Sequence, residues 1–456
     1  MASPVNPPRG MRDFLPADKA RREHALGVIK SVYRAHGFDE IETPVVEDYA
    51  RLHSGLGGDN EKLSFSILKR GITPDALAAA VETGSPEQLA DLGLRFDLTV
   101  PLTRFFASHR AELPPVFRAL QIAPVWRAER PQKGRYRQFV QADIDIIGEA
   151  GLLAEIELIT ATSAALAALG LEGCVIRVND RRVLFGMLEH CGFDEAQHDR
   201  ALITVDKLDK IGASGVVEEL RALDEAAAEN LGAILAAGEP ALSGDGIALT
   251  REALESFATS VIGISNNDDT SLVIGNSNNQ SEGEVSSATA AIDSLAELGE
   301  ALVGSLPAGV EVRFDPTLVR GMGYYTGTIF EIAHPGSGSS VGGGGRYDGM
   351  VGRFLGQDVP AVGFSIGFER VVDLISLPEN DGPDAVALVF DRDAAPADLT
   401  ALKRELVARG HRVRLERRQK NMKALLDRIA AEGFTSFANV PAGVRAVGEI
   451  EIRQLG

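Results

Sequence analysis

Cysteine, long apolar runs and positive charge are all in short supply in this sequence. Cys174 and Cys191 are its only cysteines. Two thiols without CxxC spacing are too few for a structural zinc site or a disulfide framework, and read as reduced side chains. No stretch approaches the ~20 consecutive apolar residues needed to cross a bilayer. Met1 to Arg12 carries prolines and arginines but lacks the apolar segment of a secretory leader. The expectation is a cytoplasmic protein with no membrane partner. Lys and Arg number 46 against 65 Asp and Glu, a net charge of −19. That balance argues against a protein that coats nucleic acid nonspecifically, because phosphate binding needs cations to displace counterions. No GK[ST] follows the glycine run, and no GxGxxG opens a helix after a strand, so a Walker or Rossmann nucleotide site is not expected.

What is present is ordinary for a folded chain: 45% apolar and 24% charged residues, far from the composition of disorder. The length allows roughly three domains at about 150 residues each. Charge is unevenly spread. Residues 403–428 hold ten Lys/Arg against three Asp/Glu, whereas residues 206–300 hold four against eighteen.

Helical spacing of Val28, Ile29 and Val32 predicts a helix from Asp18 to Ala35, ended by Gly37. Phe38 to Val46 alternates apolar and acidic residues and meets Pro44, which suits an edge or interface strand. Residues 54–92 read as a variable surface insertion with little chemistry. LRFDLTVPLTRFFA, from Leu94, looks like a strand entering a helix, and Val116 to Gly148 like antiparallel strands around a basic loop. An Ala/Leu-rich helix between Gly151 and Gly170 and a strand at Cys174 to Val178 follow. Residues 180–300 read as a mostly helical, acidic inserted domain with a polar excursion at Ser265 to Glu284. Strands return at Val310 to Phe314 and Thr326 to Ile332. Beyond the turn formers PENDGP the pattern is strand, helix, strand, helix, strand, a small α/β domain at residues 384–456. The main domain then comprises residues 1–179 and 301–378, and the fold class is α/β, with an antiparallel sheet in that domain. No internal repeat is evident.

Three segments carry chemistry. In WRAERPQKGRYRQFVQ, Trp126 to Gln141, a proline and a glycine interrupt a basic loop in which Arg127 and Arg135 could clamp a triphosphate in bidentate fashion; alone, it could equally be a solvated hairpin. Gln141, Asp143 and Asp145 share one face of the following strand by its period of two. That face is either plain solvent side or a pocket wall able to bind an amine or imidazole. The run Gly342 to Gly345 is either a flexible linker or, because RYD follows, a close backbone approach to a ligand with Tyr347 on one wall.

These segments resemble the class II aminoacyl-tRNA synthetases, and specifically the histidyl-tRNA synthetase family. Trp126 to Gly148 is similar to the family's motif 2, FDEIETPVVE to motif 1 with Pro44 as its proline, and AVGFSIGFERV to motif 3 with Arg370 as its arginine. LVRGMGYYTGTIFE at 318–331 and GGGGRYDGMVGRF at 342–354 resemble the two histidine-site signatures. With RGMRDFLP near the start, the resemblance covers nearly the whole chain outside 54–92 and 180–300. One departure is Gly323, where the family usually has aspartate before the paired tyrosines.

The resemblance implies a histidine–tRNA ligase, in which the histidine carboxylate attacks the α-phosphorus of ATP and the adenylate then acylates tRNA(His). It implies that Asp97, Leu98 and Thr99 lie at the histidine ligand with Gln141, holding its α-ammonium, and that Asp145 and Tyr325 face the imidazole, with Tyr324 and Tyr347 beside them. Arg127 would bridge the histidine carboxylate and the α-phosphate, Arg320 would approach that phosphate from the other side, and Arg370 would stack on adenine, with Glu129 and Arg135 also on ATP. Mg2+ would accompany ATP without a dedicated protein metal site. The resemblance further implies a homodimer through motif 1 and an anticodon-binding role for residues 384–456, whose basic stretch could otherwise be a charged surface. A rival reading is the non-catalytic regulatory subunit of ATP phosphoribosyltransferase, which resembles the catalytic domain but usually lacks the C-terminal domain and intact histidine-site signatures.

Overall fold

The computed structural model describes residues 5–53, 63–132, 134–236, 246–263, 282–320, 324–376 and 384–455. They divide into two compact units: residues 1–13 with 25–375, and residues 14–24 with 376–456.

In the larger unit the long strands Phe117–Trp126 and Gln138–Ile147 pair antiparallel over their whole length. Gln138–Ile147 then accepts Ala361–Ile366 on its other side. From there the sheet continues through Gly342–Arg346, Thr328–Ala333, Cys174–Asp180, Val310–Phe314 and Ile247–Ala248, making nine strands among the described residues with Asp39–Glu40 at the far edge. Among the described residues of this sheet, only Asp39–Glu40 on Phe117–Trp126 and Cys174–Asp180 on Val310–Phe314 are parallel pairs. Alternation sets the two faces: Ile144 and Ile146 are wholly buried in the main core with Leu158 and Ile159 of the helix Leu153–Ala168. Asp143 and Asp145, one residue out of phase, therefore point to the opposite face.

The expected strand at Phe38 to Val46 is split. Asp39–Glu40 joins the large sheet, while Val46–Asp48 joins a small sheet with Phe65–Leu68 and Ala90–Leu94. Pro44 has no N–H for a ladder, and the chain changes sheets across it. The glycine run is no linker, since Gly342–Arg346 is an interior strand bonded on both sides. The helices Arg181–Cys191, Glu195–Val205, Leu208–Leu220, Glu225–Ala236 and Glu282–Leu302 contribute Val183, Leu202, Val216, Leu231 and Leu295 to the same continuous core as the sheet. Most of the polar stretch Ser265 to Glu284, and Gly323, fall outside the described residues. Among the described residues, no helix is long and apolar enough to cross a membrane.

The smaller unit contains the strands Arg412–Arg417, Ala385–Phe390, Ser436–Val440 and Ile452–Gln454, in that spatial order, the first three parallel. Its central strand reads AVALVF because both faces are covered. Val386 and Leu388 meet Leu399, Leu402 and Leu406 of the helix Pro396–Ala408, while Ala385, Ala387 and Val389 meet Leu425 and Ile429 of the helix Met422–Ala431.

Candidate active site

A cavity of about 1220 Å³ opens on the face of the large sheet to which Asp143 and Asp145 point. Its floor includes one cross-strand row. Register places Asp143 opposite Ser365, Ser365 opposite Gly343, Gly343 opposite Glu331, Glu331 opposite Arg177, and Arg177 opposite Arg313, and all six line the cavity. Carboxylate chemistry sits at one end of the row and guanidinium chemistry at the other.

At the acidic end Asp97, Asp143 and Asp145 are all nearly inaccessible to solvent. Burial pushes the Asp97 carboxyl up to about 6, against the Val100 N–H bond and the Arg127 charge, which favour ionisation. Burial likewise pushes Asp145 up to about 7, opposed by its bond from Tyr347. Burial, then the charge of Asp145, holds Asp143 well above the usual carboxylate range. The Tyr347 hydroxyl donates to Asp145 Oδ1 at 2.6 Å. They meet above Gly363, the intervening residue in register with Asp145 and Gly345. A Cβ at Gly363 would lie 2.0 Å from Asp145 Oδ1 and 3.2 Å from Tyr347 Cε1, so glycine is what leaves room for the pair. The rings of Tyr324 and Tyr325 sit 4.7 Å apart, and Tyr324 meets Tyr347 edge-on at 6.2 Å, forming an aromatic wall.

Two buried acceptors on residues that line this cavity have no partner among the described residues: Asp97 Oδ2 and Gln141 Oε1. An unmatched buried acceptor costs roughly 1–3 kcal/mol unless something donates to it. A ligand with several N–H donors and a positive charge, such as an α-ammonium, satisfies both.

The cationic groups are fixed by neighbours. Arg127 Nε donates to the Phe96 carbonyl at 3.1 Å, and its guanidinium lies 4.9 Å from the Phe139 ring centre. Arg320 donates to Glu331 at 2.9 Å, and Arg177 also pairs with Glu331 while holding Asp315 at 3.0 Å. Gly343 clears the floor for Arg320, since a Cβ there would come within 2.7 Å of its Nη1. Arg370 donates to the Ser340 carbonyl, while Arg135 and Glu129 stand 3.8 Å apart on the more exposed loop. Such preset guanidinium groups can stabilise charge that develops on a transferring phosphoryl group without reorganising.

Of the residues singled out from sequence, Asp97, Thr99, Arg127, Glu129, Arg135, Gln141, Asp145, Arg320, Tyr324, Tyr325, Tyr347 and Arg370 all line this cavity. Leu98 does not: its side chain packs with Ala123, Val125 and Phe139, because at the start of the helix Thr99–His109 neighbouring side chains diverge. Leu63 corrects the expectation that residues 54–92 contribute little, since it lines the cavity and its carbonyl accepts from the Ala128 N–H at 2.7 Å. Sequence reasoning also missed Glu331, Arg177, Ser365 and Glu369. Glu369 accepts from Arg12 and from the Val140 N–H at 3.1 Å, which ties the N-terminal segment to the cavity's rim. The position of Glu331 within TIFE, alternating with buried neighbours on a strand, was the available signal.

A largely antiparallel sheet carrying an arginine- and carboxylate-lined cavity on its face is the layout of a class II aminoacyl-tRNA synthetase. The family model for histidyl-tRNA synthetase matches residues 10–371. A histidine–tRNA ligase from Leifsonia xyli is 65% identical over 447 residues, covering 98% of each chain. A probable histidine–tRNA ligase from Tropheryma whipplei is 42% identical, covering 95% of each. The crystal structure of histidyl-tRNA synthetase from a Nostoc species has the same fold, with TM-score 0.72 at 23% identity over 97% of this chain and 92% of that one. This chain belongs to the histidyl-tRNA synthetase family.

Proposed function

We propose that this cavity carries both half-reactions of a histidine–tRNA ligase, forming histidyl-adenylate from histidine and ATP and transferring the histidyl group to the 3′ end of tRNA(His). The observation that supports this best is the pairing of opposite chemistries in one cavity. Unmatched acceptors and the Asp145–Tyr347 pair lie at one end, with Arg127, Arg320 and Arg370 around the rest.

Histidine's α-ammonium is held by Asp97, Thr99 and Gln141. Its imidazole lies against Asp145 and the tyrosines, where a carboxylate accepting from one ring nitrogen fixes the tautomer. A site built to hydrogen-bond its substrate rejects analogues lacking those groups by roughly 10⁴ to 10⁵-fold. Arg127 and Arg320 take the α-phosphate from two sides during in-line attack by the histidine carboxylate, and Arg370 stacks on adenine, with Glu129 and Arg135 nearer the outer phosphates.

Mg2+ enters with ATP. Among the described residues, no group of three His, Cys, Asp or Glu could cage a cation, and Glu331 and Glu369 are already engaged by arginines. Glu129 on the basic loop and the phosphates of ATP would supply the oxygen donors, and the ion would neutralise phosphate charge there.

The same reading assigns residues 180–300 as an inserted domain, residues 384–456 to the anticodon and the motif 1 segment to a homodimer, and places the reaction in the cytoplasm. The regulatory-subunit alternative draws only on fold. A Bacillus halodurans structure described as an ATP phosphoribosyltransferase regulatory subunit/histidyl-tRNA synthetase has TM-score 0.70 at 22% identity. The intact arginine and tyrosine set favours the enzyme. ATP–pyrophosphate exchange, measured without tRNA, is expected to depend on histidine alone among the amino acids; folded protein showing no histidine-dependent exchange would sink the assignment.

A further inference from the structure

We propose that Asp143 is a positioning residue which, with Ser365, sets the Gln141 side-chain amide so that its carbonyl, and not its NH2, is presented to the ligand. The proposal rests on the reading that the cavity binds an α-ammonium.

The two ends of a glutamine amide are nearly equal in size and opposite in hydrogen-bonding sense, so its neighbours choose the orientation. Gln141 Nε2 donates to Asp143 Oδ2 at 3.2 Å and to Ser365 Oγ at 3.3 Å. Its Oε1 is left buried and unpartnered among the described residues, as is Asp97 Oδ2 in the same cavity.

Asp143 can hold the NH2 because it lies two residues along the same strand face and is directly opposite Ser365 in register. Both anchors are parts of the sheet floor, and neither needs to move. Asp143 is therefore distinct from Asp97 and Gln141, which touch the ligand. Its effect is transmitted through the amide. With the amide reversed, the cavity would offer an N–H donor to an ammonium that can only donate, and the site would lose its preference for a charged amine over the deaminated compound.

The test compares two competitive inhibitors of histidine-dependent ATP–pyrophosphate exchange in the full-length protein. Histidinol keeps the amine, while 3-(imidazol-4-yl)propionate lacks it. In Asp143→Ala the histidine KM and the histidinol Ki are expected to rise about tenfold, as for loss of a charge-assisted hydrogen bond. The propionate Ki, the ATP KM and kcat should stay within about twofold by the same reasoning. Asp143→Asn, which can turn its own carbonyl to the Gln141 NH2, should restore histidinol binding to within about threefold. Ser365→Ala, a smaller change that keeps the floor filled, should raise the histidinol Ki alone by a few-fold and serves if Asp143→Ala does not fold. Equal weakening of both inhibitors, an unchanged histidinol Ki in both Asp143→Ala and Ser365→Ala, or failure of Asp143→Asn to restore binding overturns the proposal. Failure of the wild-type protein to exchange with histidine would instead remove the reading beneath it.

Discussion

The cavity floor and the C-terminal sheet are both rich in charge, and they treat it in opposite ways. On the floor, Asp97, Asp143 and Asp145 are buried with no cation bonded to them among the described residues; Asp145 is met by a phenol and Asp97 by one backbone N–H. In the C-terminal unit, Arg414 of the strand Arg412–Arg417 pairs with Glu416 at 2.6 Å and with Glu432, and Arg428 of the helix Met422–Ala431 pairs with the same two carboxylates at 2.9 and 3.0 Å, all near the surface. Surface pairs of this kind add little stability and are screened by salt. Buried carboxylates left unmatched cost stability until a ligand arrives. The difference separates a region organised around a ligand from one whose charges mostly answer each other and leave only a basic surplus.

The largest effect should come from the guanidinium end of the floor. Arg320→Ala is expected to lower histidine-dependent exchange about 10³-fold, the scale of losing a transition-state charge contact. Histidinol binding should change only a few-fold, since Arg177 remains to satisfy Glu331. Exchange near the wild-type rate would deny Arg320 its role.

Asp145→Asn probes the acidic end and carries a sign. The folded pKa of Asp145, about 7, lies above its ordinary value of 3.8, so its contribution to stability is full below pH ~4 and is lost as pH rises through ~7. At pH 8 the ionised group should oppose folding by a few kcal/mol, roughly what a shift of that size implies. Asn keeps the carbonyl that Tyr347 donates to. Without histidine, the variant should melt higher than wild type at pH 8, by less at pH 5, and nearly level with it at about pH 4, while kcat/KM for histidine falls about 100-fold. Melting curves that keep the same gap at every pH would show that the floor is not under electrostatic strain.

The two regions also differed in how far they could be read from sequence. The strand Ala385–Phe390 and the helix Met422–Ala431 belong to the strand and helix pattern expected after PENDGP, because a continuous apolar run and a helical period are local signals. The cavity was legible as a set of residues, through resemblance and through the alternation of Gln141, Asp143 and Asp145. Its internal pairing was not. That Asp145 meets Tyr347 across Gly363 depends on the register of three strands, and that Arg320 shares Glu331 with Arg177 depends on two more. Glycine is a poor strand former, so the interior strand Gly342–Arg346 could not be told from a linker until its neighbours were known. Leu98, which the resemblance implies at the ligand with Asp97 and Thr99, turns its side chain the other way, onto Ala123 and Val125.

The smallest effect belongs to the basic surplus of the C-terminal unit. Arg417, the last residue of the edge strand Arg412–Arg417, and Lys420, three residues beyond it, are exposed. If the surplus meets the tRNA backbone, each cation removed should weaken binding uniformly and reduce the salt slope by about one. The double variant Arg417→Ala, Lys420→Ala is then expected to raise the tRNA KM for charging several-fold at low salt, with the difference shrinking as salt is added. Exchange without tRNA should be unaffected, because the cavity lies in the other unit. An unchanged charging KM across the salt series would mean that these charges, like the Arg414 network, serve only the surface they sit on.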